Sequence, residues 1–178
     1  MNYSNWLDQA RAFAGSGKTR SGVFRREQLQ RLEAALLTHE SALLQALKDD
    51  LGKPAVEAYT SEIGYLLSEV RHALRHLKTW MRRKRRPAPL IAWPSRAYVQ
   101  PEPRGVVLII GPWNYPVQLL LSPLVAAIAA GNSAALKPSE LAPRTSLALA
   151  KMLADTFDPA YITLFEGDAE TALSLIHI

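Results

Sequence analysis

An α/β fold, with a parallel sheet in the second half of the chain behind a helical first half, is predicted by three observations. Apolar residues recur at steps of three, four and seven through residues 28–81, the period of an amphipathic helix. Beyond Arg104 short β-branched or apolar runs alternate with helical stretches. From residue 105 to 136 no charged residue occurs, yet Gly111, Pro112, Asn114, Pro116, Pro123 and Asn132 divide that stretch into strand-length or short-helix pieces. It is expected as a buried core, because a membrane span needs about 20 consecutive apolar residues in one helix.

The elements follow in order. Residues 9–14 read as helical. Residues 28–51 carry Leu29, Leu32, Leu36, Leu43, Leu47 and Leu51 on one stripe, and Gly52 with Pro54 ends that helix. A second long helix starts at Pro54, keeps Ile63, Leu66, Val70, Leu74, Leu77 and Met81 on one face, runs into the cations at 82–86 and stops at Pro87. Residues 90–100, with Ile91, Trp93, Tyr98 and Val99, read as a strand-like extension away from the body. Then come a strand at 106–110, a small-residue helix at 118–130 closed by Gly131-Asn132, a strand at 134–137, a helix at 143–157 and a strand at 161–165. This βαβαβ order is the mononucleotide-binding half of a Rossmann-like, doubly wound parallel sheet, present in part, since the complete sheet has about six strands. Right-handed crossovers place a ligand at the carboxyl ends of the strands, here residues 111–115 and 137–140. The expected organisation is a helical part at 1–89, a β segment at 90–102, the βαβαβ unit at 103–172 and a separate tail at 173–178.

With 48% hydrophobic and 21% charged residues, the 178-residue chain can bury an ordinary core. It has no cysteine, which excludes disulfides, iron–sulfur clusters, zinc–thiolate sites and a cysteine nucleophile within these residues. Lys plus Arg 21 against Asp plus Glu 16 gives +5, a mild excess that fits an anionic ligand, nucleic acid or solubility alone. The first residues lack the apolar run of a secretion signal, so a cytoplasmic location is expected.

Three motifs are weighed against simpler readings. Gly15-Ser16-Gly17-Lys18-Thr19 ends like a phosphate-binding loop, but Ala12 stands where glycine is needed and the lead-in is helical, so a connecting turn is expected. His72 and His76 lie one helical turn apart, as zinc ligands can, but Ala73 replaces the glutamate of a metalloprotease motif and a third ligand is undefined; no metal is expected. Arg82, Arg83, Lys84, Arg85 and Arg86 could attract phosphate backbones, but no aromatic interleaving accompanies them. A solvated helix end, favoured by the helix dipole, is expected there, with no nucleic-acid partner.

The segments 104–116 and 130–140 carry the most chemistry. They bring the amide of Asn114 and the cation, hydroxyl and carboxylate of Lys137, Ser139 and Glu140 to two strand ends. An ammonium and a carboxylate three residues apart can bond ribose hydroxyls, and an exposed amide can hold a developing oxyanion. A turn of Pro, Asn and Ser followed by a helix cap accounts for the same residues. Both readings stand on the residues alone.

Pro112-Trp113-Asn114-Tyr115-Pro116, Ala129-Ala130-Gly131-Asn132 and Lys137-Pro138-Ser139-Glu140 closely resemble the amino-terminal part of NAD(P)-dependent aldehyde dehydrogenases. Ser16-Gly17-Lys18-Thr19-Arg20, Asp50-Leu51-Gly52-Lys53-Pro54 and Ser61-Glu62-Ile63 resemble the class 3 branch, which includes fatty, aromatic and coniferyl aldehyde enzymes. The likeness runs from about residue 4 to 172, and several separated motifs in order are far more specific than a lone glycine pattern. It implies an aldehyde dehydrogenase-like fold in which Asn114 donates to the oxyanion of a thiohemiacetal. Lys137 and Glu140, with Ser139 beside them, bind the adenosine ribose, and Trp113 lies near the cofactor path. NAD is favoured and NADP possible by the same likeness, the substrate is an aldehyde, and the 90–100 segment belongs to a bridging arm of a homodimer. The family has no GxGxxG between its first strand and helix, and neither has this chain.

The implied reaction needs a cysteine thiolate and a glutamate-activated water. With no cysteine, and with the family's glycine turn and general-base glutamate outside these residues, the chain alone is expected to be inactive, and its unpaired sheet edge to make it poorly soluble. Leu173-Ser174-Leu175-Ile176-His177-Ile178 is what CTGTCTCTTATACACATC, a transposase adapter end, encodes, so a non-native tail is expected; a short amphipathic helix end is the alternative. The rival function is a non-catalytic module, either binding nucleotide without chemistry or using 82–86 as a basic nucleic-acid surface.

Overall fold

The computed structural model describes residues 3–177. Helix α1 (Tyr3–Gly15) leads through a tight turn at Lys18–Arg20 into α2 (Gly22–Thr38) and α3 (Glu40–Leu51). The helix expected at 28–51 is therefore two helices and begins earlier. Ser21 starts α2 by accepting the Phe24 N–H, and helical geometry breaks at His39 (φ −97°, ψ 7°). Periodicity does not register so short a break, because Leu36 and Leu43 on either side are buried in the same core.

Pro54 precedes a continuous helical stretch made of α4 (Ala55–Ala58), a π turn (Tyr59–Ile63) and α5 (Gly64–Trp80). It ends at Met81 and does not continue through the cations. Lys84–Arg86 form strand β1, antiparallel to β2 (Ala97–Val99), with Arg85 opposite Tyr98. The helix-end reading is thus corrected for 84–86, while all five cations at 82–86 are exposed, as a solvated run should be. A strand spaces successive residues about 3.3 Å apart on alternate faces, where a helix would crowd five cations at about 1.5 Å per residue. The guanidinium of Arg83 sits 5.2 Å over the Tyr98 ring. Of the strand-like segment expected at 90–100 only β2 is strand; Leu90–Ala92 form a tight turn, and Leu90, Ile91 and Trp93 are almost fully exposed.

The βαβαβ unit is as predicted, with ends shifted by a residue or so. Strands β3 (Val106–Ile110), β4 (Ser133–Lys137) and β5 (Ile162–Leu164) form a parallel sheet in that order, joined by α6 (Gln118–Ala130) and α7 (Pro143–Thr156). The charge-free stretch supplies β3, all of α6 and β4 up to Leu136, and β4 is buried at every position. Alternation along the strands divides two cores. Val107, Ile109, Ala134 and Leu136 face the large core shared with α2, α3, α5, α6 and α7. Val106, Leu108 and Ala135 face a small one with Trp6 of α1 and Leu175 of α8 (Ala169–Ile176). Asp168 caps α8 by accepting the Glu170 and Thr171 N–H groups. Residues of the tail expected to be non-native continue this helix and bury Leu175; Ile178 lies outside the described residues. No described helix is long and apolar enough to cross a membrane.

Candidate functional site

Parallel pairing brings the two predicted loops to the same end of the sheet. Ile110 pairs with Lys137, and the Gly111 N–H donates to the Lys137 carbonyl at 2.9 Å. Gly111 lies so close to α6 that a Cβ there would sit 2.8 Å from Leu120 Cδ1, which lets the loop fold back toward its helix. In that loop Trp113, Asn114 and Tyr115 are exposed while Pro116 and Val117 are buried. Leaving β4, Lys137 is buried, with 4% of its side chain exposed, and donates to Glu140 Oε2 at 2.7 Å. Glu140 is 46% exposed. Ser139 Oγ accepts the Leu141 N–H at 3.2 Å, so the hydroxyl shapes the turn and keeps its own proton to donate.

Lys137 carries three donor protons, and among the described residues its side chain has one hydrogen-bond acceptor, Glu140. A buried ammonium so placed fits a ligand with neighbouring hydroxyls at the carboxyl end of a parallel sheet. The hydrogen bond from Lys137, then backbone donation and the lysine charge, hold the Glu140 carboxyl below its ordinary value of 4.5. The contact therefore contributes at pH above the ordinary value and is lost as pH falls through the lowered one. An NMR titration of the Glu140 carboxyl should show a midpoint below 4.5, and Lys137→Met should move it up; an unchanged midpoint in the variant would contradict the pairing.

The Asn114 loop is held from beneath by two residues to which sequence reasoning assigned no role. Lys53 Nζ lies 2.5 Å from Glu62 Oε1, donates to the Asn114 carbonyl at 2.9 Å and sits 3.9 Å from the centre of the Tyr115 ring. The other oxygen of Glu62 accepts the Val117 N–H at 2.8 Å and the Gln118 N–H at 3.2 Å, at the start of α6. Glu62 is fully buried, in the π turn, and Lys53 is 9% exposed. One signal was available: Glu62 stands four residues before Leu66 on the apolar stripe, where a carboxylate demands a partner.

The other motifs lie elsewhere. Gly15-Ser16-Gly17-Lys18-Thr19 follows a helix and forms a turn in which Ser16 Oγ donates to the Phe13 carbonyl at 2.7 Å. His72 and His76 stack with ring centres 4.1 Å apart, and His76 Nδ1 is 2.9 Å from the His72 carbonyl. A groove of about 570 Å³ runs along the open edge of β3, lined by Trp6, Arg11, Arg20, Arg104, Val106 and Leu175, away from the two loops.

The model of the aldehyde dehydrogenase family matches residues 2–177. A 4,4'-diaponeurosporen-aldehyde dehydrogenase of Staphylococcus aureus is 44% identical over 95% of this chain and 37% of its own length. Aldehyde dehydrogenase family 3 member H1 of Arabidopsis thaliana is 39% identical over 97% of this chain and 36% of its own. A solved structure described as the substrate-bound state of Staphylococcus aureus AldH superposes with a TM-score of 0.97 at 43% identity, covering all of this chain and 39% of that one. The chain thus spans a little over a third of the length of these relatives. A family model that matches nearly the whole chain, with relatives 44% and 39% identical over almost all of it, places the chain in the aldehyde dehydrogenase family.

Proposed function

We propose that these residues are the dinucleotide- and oxyanion-binding part of an NAD(P)-dependent enzyme that oxidises aldehydes to carboxylic acids. The observation that carries the reading is the buried Lys137 ammonium, with one acceptor for three protons among the described residues, beside the half-exposed Glu140 carboxylate. Lys137 donates to a ribose diol and Glu140 accepts from it; Ser139 offers its remaining hydroxyl proton, and the half-exposed Trp113 ring borders the path. Glu140 disfavours a 2′-phosphate, so NAD is preferred to NADP. The dinucleotide, when bound, accepts a hydride. Asn114 donates its side-chain amide to the oxygen that becomes negative as a thiolate adds to the aldehyde carbonyl. That thiolate comes from outside these 178 residues, which hold no cysteine. The working enzyme is a cytoplasmic homodimer, with the β1–β2 hairpin in its bridging arm.

The test is a split in kinetic constants in an enzyme of the family's full length carrying this segment. Lys137→Ala and Glu140→Ala should raise KM for NAD, whereas Asn114→Ala should lower kcat by about 10²–10³-fold with that KM little changed. An Asn114→Ala enzyme of undiminished kcat, or a Lys137→Ala enzyme with normal dinucleotide KM, would overturn the assignment. The 178-residue chain alone should give no turnover above blank.

A further inference from the structure

We infer that Lys53 and Glu62 are positioning residues: together they set the backbone of the Asn114 loop so that the amide meets the oxyanion. The inference rests on the proposed role of Asn114 and adds to it a mechanism of placement.

Asn114 lies in an exposed bend between Gly111 and the start of α6, and in such a loop the direction of a side chain is only as definite as the backbone that carries it. Two anchors fix that backbone. Lys53 holds the carbonyl of Asn114 itself and stacks on the neighbouring ring of Tyr115. Glu62 holds the N–H groups of Val117 and Gln118 and so fixes where α6 begins. The two anchors are joined by their own ion pair, so one buried unit holds the loop at its middle and at its helical end. That unit is carried by two elements outside the sheet: Lys53 follows the glycine that ends α3, and Glu62 sits in the π turn before α5. A buried pair serves stability poorly, because apolar residues of similar volume often do as well or better. Its value here lies in direction. Asn114's side chain is left exposed at the end of the sheet while its main chain is engaged from below.

In the full-length enzyme the test replaces both charges at once, Lys53→Met with Glu62→Gln, so that no lone charge stays buried. This neutral-pair variant should fold, with kcat lowered about 10–100-fold by loop misplacement and KM for NAD unchanged. Combined with Asn114→Ala it should lose little more than Asn114→Ala alone, because the pair acts through that amide. In this chain, hydrogen exchange at the Val117 and Gln118 amides should speed up while Val107–Ile109 of β3 stay protected. Losses that multiply in the combined variant, unchanged exchange at 117 and 118, or failure of the neutral pair to fold would each overturn the inference and leave the role of Asn114 standing. Undiminished kcat in Asn114→Ala would instead bring down both.

Discussion

Gly131→Ala is expected to destabilise the chain by more than about 4 kcal/mol, from two independent causes. Gly131 ends α6 in the left-handed region (φ 85°), which costs an L-residue about 1–2 kcal/mol. The second cause is larger. A Cβ there would lie 2.5 Å from Arg25 Nη2 and 2.6 Å from the Thr19 carbonyl oxygen. Arg25 is buried and cannot swing away freely: its Nε donates to Thr19 O at 2.7 Å and its Nη1 to Ala129 O at 3.0 Å. Hydrogen bonds of that charged kind contribute about 1.5–3 kcal/mol each, and the cation also favours the carbonyl end of α6. Urea midpoints of the wild type, Gly131→Ala and Gly131→Asn separate the causes. Asparagine tolerates the left-handed region but has a Cβ, so it should recover only a small part of the loss. If Gly131→Ala stays within about 0.5 kcal/mol of wild type, neither cause operates. The effect bears on the site because Gly131 leads into Asn132, whose Oδ1 accepts the Gly105 N–H at 2.9 Å and ties the start of β4 to that of β3.

Lys53→Met alone should cost about 3–5 kcal/mol, the usual consequence of leaving one partner of a buried ion pair uncompensated. Glu62 has no exposure to regain water, and its remaining partners are two backbone amides. Adding Glu62→Gln should restore much of the loss, since it leaves no uncompensated charge in the core, although the neutral amide accepts more weakly than the carboxylate from Val117 and Gln118. The urea midpoint of the double variant should therefore exceed that of the single one. The reverse order would mean that the carboxylate is not the burden. This stability ordering is distinct from the kinetic one, in which the double variant remains impaired.

Most of the scaffold was legible because its signals are local. The run at 106–110 is a strand as read, though at the sheet edge it buries only Ile109 and leaves Ile110 exposed, and the small residues of α6 announced close packing before Gly131 closed it. Strand ends follow from topology, so Asn114, Lys137, Ser139 and Glu140 could be placed on adjacent loops without coordinates. Local reasoning failed where a distant contact decided. A one-residue break at His39 leaves the leucine stripe undisturbed. Five cations fit a helix end by dipole and a strand by spacing, and pairing with Ala97–Val99 settles the choice for Lys84–Arg86.

The βαβαβ order of the second half and the types of group at its two strand ends were determined by the sequence alone, because apolar runs, helical periodicity and turn chemistry act within a few residues. Only the tertiary structure decided that Lys137 is buried against Glu140, and that Lys53 reaches an Asn114 carbonyl 61 residues away. Burial and long-range hydrogen bonding depend on which surfaces meet once the chain has packed, and no local pattern records that meeting.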